Sequence, residues 1–422
     1  MTIAPPISPA ETGPAEASVA ADGSVWRGRA DASEIARWTT VAQGVAAALA
    51  VDVVERDRSN ALPDAPVHLL RDSGLVDLLV PSELGGQGAH WETAFAVART
   101  IARVDASVAQ ILGYSWLNQA CAVFYGADAE TANGWLRRSA RGHWVWADAF
   151  NPVSPDLSFV ADGDGYRLNG RKAFATGAAV ADVVISGAVA EGGALDGQLV
   201  VFALDRGRSG IRQLGDWDNI GYRASASGGV SFEDVIVTRD DVVGIDRDLP
   251  FSAVVTPGVQ LLFGNIYLGI AEGALAQAAE LARKRPNSWF LSGVERYADD
   301  PVTHRVFGEL VSRTAAVEAL ADKLNRQYDD AVALGHATTA EDRAAIELAV
   351  ARLKVVSTEV GLEVASRVFE VTGASSTKTA TGLDLHWRNI RTHSLHDPVD
   401  YKRIEVGAHF LNGTVQPVSL YT

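Results

Sequence analysis

Cysteine is nearly absent from this sequence: its 422 residues contain one, Cys121. A single cysteine excludes an intrachain disulfide and any metal cluster built on several cysteines, and we interpret it as a free buried thiol in a reducing compartment. We also find no uncharged apolar run of 18 residues and no basic segment followed by an apolar one near residue 1. We therefore expect no membrane span, no secretion signal and a cytoplasmic location.

Positive charge is also scarce. The chain has 52 Asp and Glu residues against 37 Lys and Arg, a formal net charge of −15. Nucleic acids and anionic membranes require a basic surface, so neither is an expected partner. Dinucleotide, P-loop and zinc-protease motifs are missing. Of the nine histidines, only His386, His393 and His396 lie close together, and they lack the spacing of a zinc pair, so no metal site is predicted.

Four regions with different hydrophobic patterns follow one another along the chain. Residues 1–30 are rich in Ala, Pro, Ser, Gly and Thr, which is typical of a disordered arm. Apolar residues at three- and four-residue steps predict an N-terminal helical domain over 31–143, and short β-branched runs predict a small antiparallel β-barrel or sandwich over 144–248. Long helical stretches predict a C-terminal four-helix bundle over 249–422. The fold class is therefore α+β, mostly α, with ligand clefts where the units meet.

The dipeptide Asn169-Gly170 stands between two strand-like arms in the segment 166–174. Both residues tolerate positive φ, and such a pair is the strongest short-range signal for a hairpin. We therefore predict a type I′ turn at this position, with one strand on each side of it.

Polar side chains are dense in the segment 385–398, which contains two histidines three residues apart, a serine, an aspartate and two arginines. Histidine titrates near neutrality and can give or take a proton at a reacting centre. Taken singly, His393 and His396 are better explained as helix-end or core residues whose nitrogens bond to backbone. For the cluster as a whole we favour a functional interpretation.

Alternating residues predict two strand faces that could contact a ligand. Phe174 and Thr176 are expected on one face, where they could stack on and hydrogen-bond a flat ring, although ordinary strand packing explains that pair better. On another strand, Asp148 and Phe150 alternate with two tryptophans. A carboxylate held among aromatic rings would have a raised pKa, and an aromatic core with Asp148 at its rim is the structural alternative.

Five segments, in register along residues 35–415, resemble motifs of the acyl-CoA dehydrogenase superfamily. One reads V-P-S-E-L-G-G-Q-G, like that superfamily's loop between helices, and another reads I-G-Y-R. The resemblance implies the helical, β and helical domain order already predicted. The segments are 80–88, 165–172, 220–223, the arginine at 283 and 371–374.

Within that superfamily the chain is most similar to the two-component flavin monooxygenases of the dibenzothiophene monooxygenase group. The segments that carry this resemblance are 54–58, 263–271 and 387–399. It implies a homotetramer that takes reduced FMN or FAD from a separate NAD(P)H-dependent reductase, reacts with O₂ through a C4a-hydroperoxyflavin, and oxygenates a small aromatic molecule. No metal is implied.

Departures from these families narrow the predicted activity. Dehydrogenases place a catalytic Glu-Gly where this chain has His396-Asp397-Pro398, so desaturation is disfavoured. Phe369 replaces a glutamine that helps to hold the adenine half of FAD, so FMN is at least as plausible. Residues of the substrate walls also differ, and we predict an indole- or thiophene-type substrate, with the xiamycin-type indole oxygenases as a related group. An acyl-CoA dehydrogenase-type desaturase, an N-hydroxylating flavin enzyme and a non-catalytic oligomer remain alternatives.

The resemblance implies a role for each candidate residue. Thr176 would hydrogen-bond the flavin edge near N5, and His396 with His393 would hold or deliver a proton. Arg283 would bind flavin phosphate, although a cation that ends a helix is also explained by the helix dipole. The remaining implied contacts are Phe174, Tyr114, Asp148 and Gly373 for the cofactor, Asp148 also for catalysis, and Tyr114, Ser115, Trp116 and Phe150 for the substrate.

Overall fold

The computed structural model describes residues 23–150 and 157–417. Most of the expected disordered arm, residues 1–22, lies outside the described residues. Residues 23–26, within the segment predicted to be disordered, are packed against the helical part instead. Trp26 is buried, its indole N–H donates to the carbonyl oxygen of Leu79 at 3.1 Å, and its ring meets Trp91 edge-on at 5.3 Å. The ordered body therefore begins earlier than predicted, because one large aromatic side chain anchors this segment to the core.

Six helices form the N-terminal part. Aspartates cap three of them: Asp31, Asp105 and Asp128 each accept backbone N–H bonds from the first turn of the helix that follows. The fifth helix is buried on nearly all sides. The helices are α1 (Ala32–Leu49), α2 (Val53–Ser59), α3 (Asp64–Asp72), α4 (Trp91–Ala102), α5 (Ala106–Phe124) and α6 (Ala129–Gly142).

The middle part contains two four-stranded sheets, with strand orders β1-β4-β5-β8 and β2-β3-β7-β6. They pack face to face, since Phe159 on β2 stacks on Phe202 on β5 with ring centroids 5.2 Å apart. The pair β1–β4 is parallel, so the prediction of a wholly antiparallel unit was wrong for this pair. The strands are β1 (Trp146–Asp148), β2 (Leu157–Asp162), β3 (Gly165–Lys172), β4 (Val183–Val189), β5 (Leu199–Asp205), β6 (Ile211–Gln213), β7 (Val230–Val237) and β8 (Val242–Ile245).

Asn169 and Gly170 lie inside β3 and do not form the predicted hairpin turn. The turn lies at residues 163–164, between β2 and β3. Gly170 has φ +130°, and the register of β3 against β7 shifts beside it. The Asn169 side chain accepts the backbone N–H of Asp234 at 2.7 Å. The Asn-Gly pair supplies the conformational freedom that a β-bulge requires, and a bulge uses the same residue types as a turn.

The C-terminal part contains three long helices and two short ones, in agreement with the predicted helical bundle. Gly273 on α7 lies against the backbone of Arg103, where a Cβ would clash, so α7 approaches the end of α4 closely. The short helices both pack on α9. The helices are α7 (Val255–Lys284), α8 (Pro301–Ala333), α9 (Ala340–Thr372), α10 (Asp384–His393) and α11 (Val399–Asn412).

One helical stretch among the described residues, Ser252–Lys284, is long and apolar enough to cross a membrane, with a mean hydropathy of 1.4 in its most apolar window. The statement that no such run exists was therefore wrong. Burial accounts for the composition, because 94% of that window lies inside the protein. A helix surrounded by other helices is apolar on all sides without any membrane.

Candidate active site

A cavity of about 720 Å³ opens where the helical parts meet the sheets. This volume is in the range of small-molecule and cofactor sites. Its helical wall consists of one face of α5, the first turns of α7 and the end of α10 with the turn after it. Its sheet wall consists of the end of β1, the segment after β3 and the loop between β6 and β7.

One face of α5 lines the cavity at helical spacing, and the predicted Tyr114 is on it. Ser115 and Trp116 are not, because each step along a helix turns by about 100°. The Ser115 hydroxyl accepts the backbone N–H of Trp146 at 3.1 Å, and the Trp116 indole donates to the carbonyl of Leu75 at 2.7 Å. Both are fully buried. The two residues that we predicted as substrate contacts therefore do not line this cavity.

His393 and His396 lie together at the cavity. Their ring centroids are 5.7 Å apart, and both rings meet the edge of Phe263, at 4.4 Å and 5.2 Å. His393 is buried, and the hydroxyl of Tyr267 lies 2.8 Å from its Nδ1. Burial lowers the pKa of His393 well below its ordinary value, and the charges of His396 and Lys354 lower it further.

His396 has a different set of partners. Its Nδ1 lies 3.3 Å from Asp397 Oδ1, and its Nε2 lies 3.5 Å from the Tyr114 hydroxyl. The buried Lys354 Nζ donates to the same Asp397 oxygen at 2.9 Å. Burial raises the pKa of Asp397, but the hydrogen bond from His396 and the charge of Lys354 outweigh it and bring the pKa below its ordinary value. Asp397 is therefore an ionised, ion-paired carboxylate.

His386, the third histidine of the cluster, does not line the cavity. Its Nε2 lies 2.9 Å from the side-chain oxygen of Gln277. Burial lowers its pKa to about 4, so the ring is neutral at pH 7 and has a structural partner. For this residue the structural interpretation applies.

Asp148 and Phe150 both line the cavity from the end of β1. The backbone N–H of Phe150 donates to Asp148 Oδ1 at 2.7 Å. Burial raises the pKa of Asp148 to about 6, against this hydrogen bond and the charge of His396. The carboxyl group is thus poised to change charge slightly below neutral pH.

Thr176 and Phe174 also line the cavity, although they differ in exposure. The Thr176 hydroxyl is buried and accepts bonds from Gln110 at 3.2 Å and from Ser227 at 3.3 Å. Phe174 is 65% exposed, in the left-handed region at φ +58°, and its ring meets Trp217 edge-on at 6.0 Å. Phe174 and Trp217 therefore form the mouth of the cavity, and Thr176 part of its inner wall.

Arg283 and Gly373 do not line this cavity. Gln260 on α7 does, and Arg283 lies 23 residues further along the same helix, which is about 35 Å at 1.5 Å per residue. Gly373 lies at the same remote end, beside the Arg285 guanidinium. The structure does not bring these two predicted cofactor contacts to the cavity of their own chain.

Several cavity residues carry buried polar atoms that have no hydrogen-bond partner. Such atoms destabilise a protein by roughly 1–3 kcal/mol each unless a ligand or water pairs them. They include donors and acceptors, as the ring nitrogens and carbonyls of an isoalloxazine require, so the residues present fit a flavin. The residues concerned are Gln110, Asn118, Tyr222, Gln260, Thr392 and His393.

Four further residues line the cavity but were not predicted as site residues: Gln110, Trp217, Tyr222 and Ser227. Helical periodicity could have identified Gln110, since it precedes Tyr114 by one turn of α5. The other three lie in a loop between short strands, where no period applies. Over residues 23–150 and 157–417, no three His, Cys, Asp or Glu side chains form a group suited to a metal ion.

The chain matches three profiles of one family. These are the N-terminal domain of acyl-CoA dehydrogenase over residues 33–143, the middle domain over 151–235 and the C-terminal domain over 261–401. Together they span most of the chain and agree with the three structural parts. The chain therefore belongs to the acyl-CoA dehydrogenase family.

Three relatives narrow this placement. The chain is 38% identical to a probable FMNH₂-dependent monooxygenase, SfnC of Pseudomonas putida, covering 90% of this chain and 96% of that one. Methanesulfinate monooxygenase MsuC of Pseudomonas fluorescens superposes with a TM-score of 0.87 at 36% identity, covering 91% and 99%. The dibenzothiophene monooxygenase TdsC of Paenibacillus sp. A11-2, bound to FMN and indole, gives 0.86 at 34%, covering 92% and 100%. Membership of the family's flavin monooxygenase group is confirmed.

Proposed function

We propose that this protein uses reduced flavin and O₂ to oxygenate a small aromatic heterocycle of the indole or thiophene type. The observation that carries the proposal is the convergence on one cavity of two histidines, a carboxyl group and several unpartnered polar atoms. With a flavin and a substrate filling the cavity, its inner part would exclude water and stray protons, and that would protect a reactive oxygenating species.

Bound reduced flavin would supply the two electrons with which O₂ is cleaved, so that one oxygen atom enters the substrate and the other leaves as water. The chain's own residues would hold it and close over it. The Thr176 hydroxyl, oriented by Gln110 and Ser227, would bind the ring edge. Phe174 and Trp217 would cover the ring at the mouth.

Proton handling would fall to His396, whose Nε2 faces the Tyr114 hydroxyl at the cavity. General acid–base catalysis requires such a group within hydrogen-bond reach of the reacting oxygen. Above its pKa of about 6, Asp148 is a carboxylate. It would accept a hydrogen bond from the N–H of an indole-type substrate. Tyr114 and Phe150 would form the walls of the substrate pocket.

We propose FMN rather than FAD, because Phe369 replaces the glutamine that holds adenine in related enzymes and because TdsC is found with FMN. A separate NAD(P)H-dependent reductase would supply the FMN in its reduced form. Arg283 lies about 35 Å along α7 from the cavity, and Gly373 lies at the same end of the helix. Arg283 would therefore bind the phosphate, and Gly373 would contact the flavin, at the cavity of another subunit. That arrangement fits a homotetramer, in which the exposed apolar residues Tyr401, Ile404 and Phe410 of α11 would be covered.

Desaturation of an acyl-CoA is disfavoured by the state of Asp397. It stands near the position where dehydrogenases carry a catalytic glutamate, but it is already ion-paired with Lys354 at 2.9 Å. A second candidate substrate is a small anion such as a sulfinate, favoured by Arg391, whose side chain also lines the cavity.

The test is anaerobic titration with FMNH₂ and FADH₂, followed by rapid mixing with ¹⁸O₂ in the presence of indole, a benzothiophene or methanesulfinate. We expect tighter binding of FMNH₂, a transient absorbance band before oxidised flavin appears, and one ¹⁸O atom in the indole or benzothiophene product. Labelled product from methanesulfinate alone would favour the second candidate. Reduction of bound oxidised flavin by an acyl-CoA, with no labelled product, would overturn the proposal.

A further inference from the structure

Each of the two cavity histidines contacts one residue that lies behind the cavity wall. Tyr267 hydrogen-bonds His393, and Lys354 reaches His396 through Asp397. Neither Tyr267 nor Lys354 lines the cavity, and both are 0% exposed. Their contacts decide which ring nitrogen of each histidine carries the proton.

Tyr267 determines the protonation pattern of His393. Burial raises the pKa of the Tyr267 phenol, so its O–H is retained, and His393 Nδ1 is its hydrogen-bond partner at 2.8 Å. A buried O–H without an acceptor costs free energy, so the phenol donates and Nδ1 accepts. The His393 ring is neutral because burial lowers its pKa. Its single N–H is therefore on Nε2, the nitrogen that has no partner among the described residues.

Asp397 determines the opposite pattern for His396. An ionised carboxylate only accepts hydrogen bonds, so His396 Nδ1, at 3.3 Å, is the donor. Lys354 donates to the same carboxylate oxygen and keeps it ionised. Whenever the His396 ring carries a single proton, that proton is on Nδ1, and Nε2 is an acceptor on the side of Tyr114.

We propose that Tyr267 and Lys354 are positioning residues that hold His393 and His396 in opposite tautomers, so that His393 carries its N–H on the buried Nε2 and His396 keeps Nε2 as an acceptor on the side of Tyr114. The inference rests on the proposed flavin oxygenation for its purpose. His396 Nε2 would take a proton and return it, and the uncharged His393 ring beside it would leave that task to His396 alone. Two histidines three residues apart thereby perform different tasks.

The functional test compares Tyr267→Phe with a matched variant, Tyr328→Phe. Tyr328 is an equally buried tyrosine outside the cavity, and its hydroxyl donates to the carbonyl of Val254 at 3.2 Å. We expect both variants to lose similar stability and to bind FMNH₂ like the parent. Tyr267→Phe alone should lower product formed per flavin oxidised, about tenfold for one lost orienting bond, and change the pH profile of that ratio. Equal ratios and profiles in the two variants would overturn the role of Tyr267.

For Lys354, the test compares Lys354→Met with Lys354→Met/Asp397→Asn. The single variant leaves a buried carboxylate without its cation, so the pH profile of product formed per flavin oxidised should shift to higher pH. The double variant removes the charge and keeps a carbonyl that can accept from His396 Nδ1, so the ratio should recover at least partly and its shift should disappear. An unshifted profile in the single variant, or identical profiles in both, would overturn the role of Lys354.

Neutron diffraction from deuterated crystals of the flavin-free protein gives a readout that is independent of activity. We expect deuterium on His393 Nε2 and His396 Nδ1 in the parent. Deuterium on His393 Nδ1 or on His396 Nε2 alone would overturn the proposal, whatever the activity. If the deuterium positions are as expected but no heterocycle is oxygenated by the parent, the proposed function fails while the tautomer assignment stands.

Discussion

The two walls of the cavity differ in how their side chains are held. On the helical wall, His393 and His396 bond to Tyr267 and Asp397, and those partners lie inside the protein. On the sheet wall, Phe174 is 65% exposed in a left-handed backbone conformation. Groups that move protons need preset geometry, whereas groups that admit a ligand need space and access. We infer that the helical wall carries the chemistry and the sheet wall selects what enters.

The largest effect is expected from a substitution of His396, on the helical wall of the cavity. His396→Ala should lower product formed per FMNH₂ oxidised by about a hundredfold, the lower end for loss of a general acid or base. Peroxide release should rise correspondingly, because flavin oxidation continues without oxygen transfer. Single-turnover reactions, with product and peroxide measured on the same sample, check this. The dissociation constant for FMNH₂ is the control and should change less than about threefold. If His396→Ala oxygenated the substrate as well as the parent does, His396 would have no role in the chemistry.

Asp148 tests whether the sheet wall selects the substrate. Asp148→Asn should raise KM for indole about tenfold, the effect of one lost charge-assisted hydrogen bond. KM for a benzothiophene, which lacks an N–H, should stay nearly constant and serves as the control. An equal change for both substrates would contradict the role of Asp148 as an N–H acceptor.

Asp148 should also make the affinity for indole depend on pH. The pKa of Asp148 is raised to about 6, so the accepting carboxylate is present above that pH and is lost as the pH falls through it. Indole affinity of the parent should therefore weaken between about pH 7 and pH 5, while Asp148→Asn should show no such step. Equilibrium binding to the flavin-free protein across this range checks it. A step of the same size in both proteins would assign it to another group.

A smaller effect is expected at the mouth. Phe174→Ala should weaken FMNH₂ binding about fivefold, since one aromatic contact contributes roughly 1 kcal/mol. Product formed per flavin oxidised should be unchanged at saturating FMNH₂. Anaerobic fluorescence titration measures the first quantity. Ile236→Ala, at an exposed apolar residue of β7 outside the cavity, is the matched control. If product formed per flavin oxidised fell while the affinity for FMNH₂ stayed the same, the sheet wall would take part in the chemistry.

The smallest catalytic effect is expected at Ser115, which lies on α5 but faces away from the cavity. Ser115→Ala should lower the free energy of unfolding by about 1–2 kcal/mol, because the buried N–H of Trp146 loses its acceptor. Denaturant unfolding monitored by fluorescence measures this loss of stability. Product formed per flavin oxidised should equal that of the parent. If Ser115→Ala lowered product formed per flavin oxidised and left the free energy of unfolding unchanged, Ser115 would again be a candidate substrate contact.

Local patterns were sufficient to predict the helices and most strands. The three-residue and four-residue periods of α1 and α5 and the β-branched runs of β4 and β5 depend on near neighbours in the chain, so they can be read from it. Asn169-Gly170 shows where such inference fails. A turn and a bulge require the same positive φ, and only the pairing of β3 with both β2 and β7 distinguishes them.

The sequence by itself determined the order of helical and sheet parts, the family and the presence of His393 and His396 in one polar segment. Only the tertiary structure decided that Ser115 and Trp116 face away from the cavity and that Arg283 lies remote from it. It alone also assigned different partners to the two histidines. Tyr267 stands 126 residues from His393, and Lys354 stands 43 from Asp397. The charge and tautomer of a buried group depend on such distant neighbours and on exclusion of water, and both exist only in the folded chain.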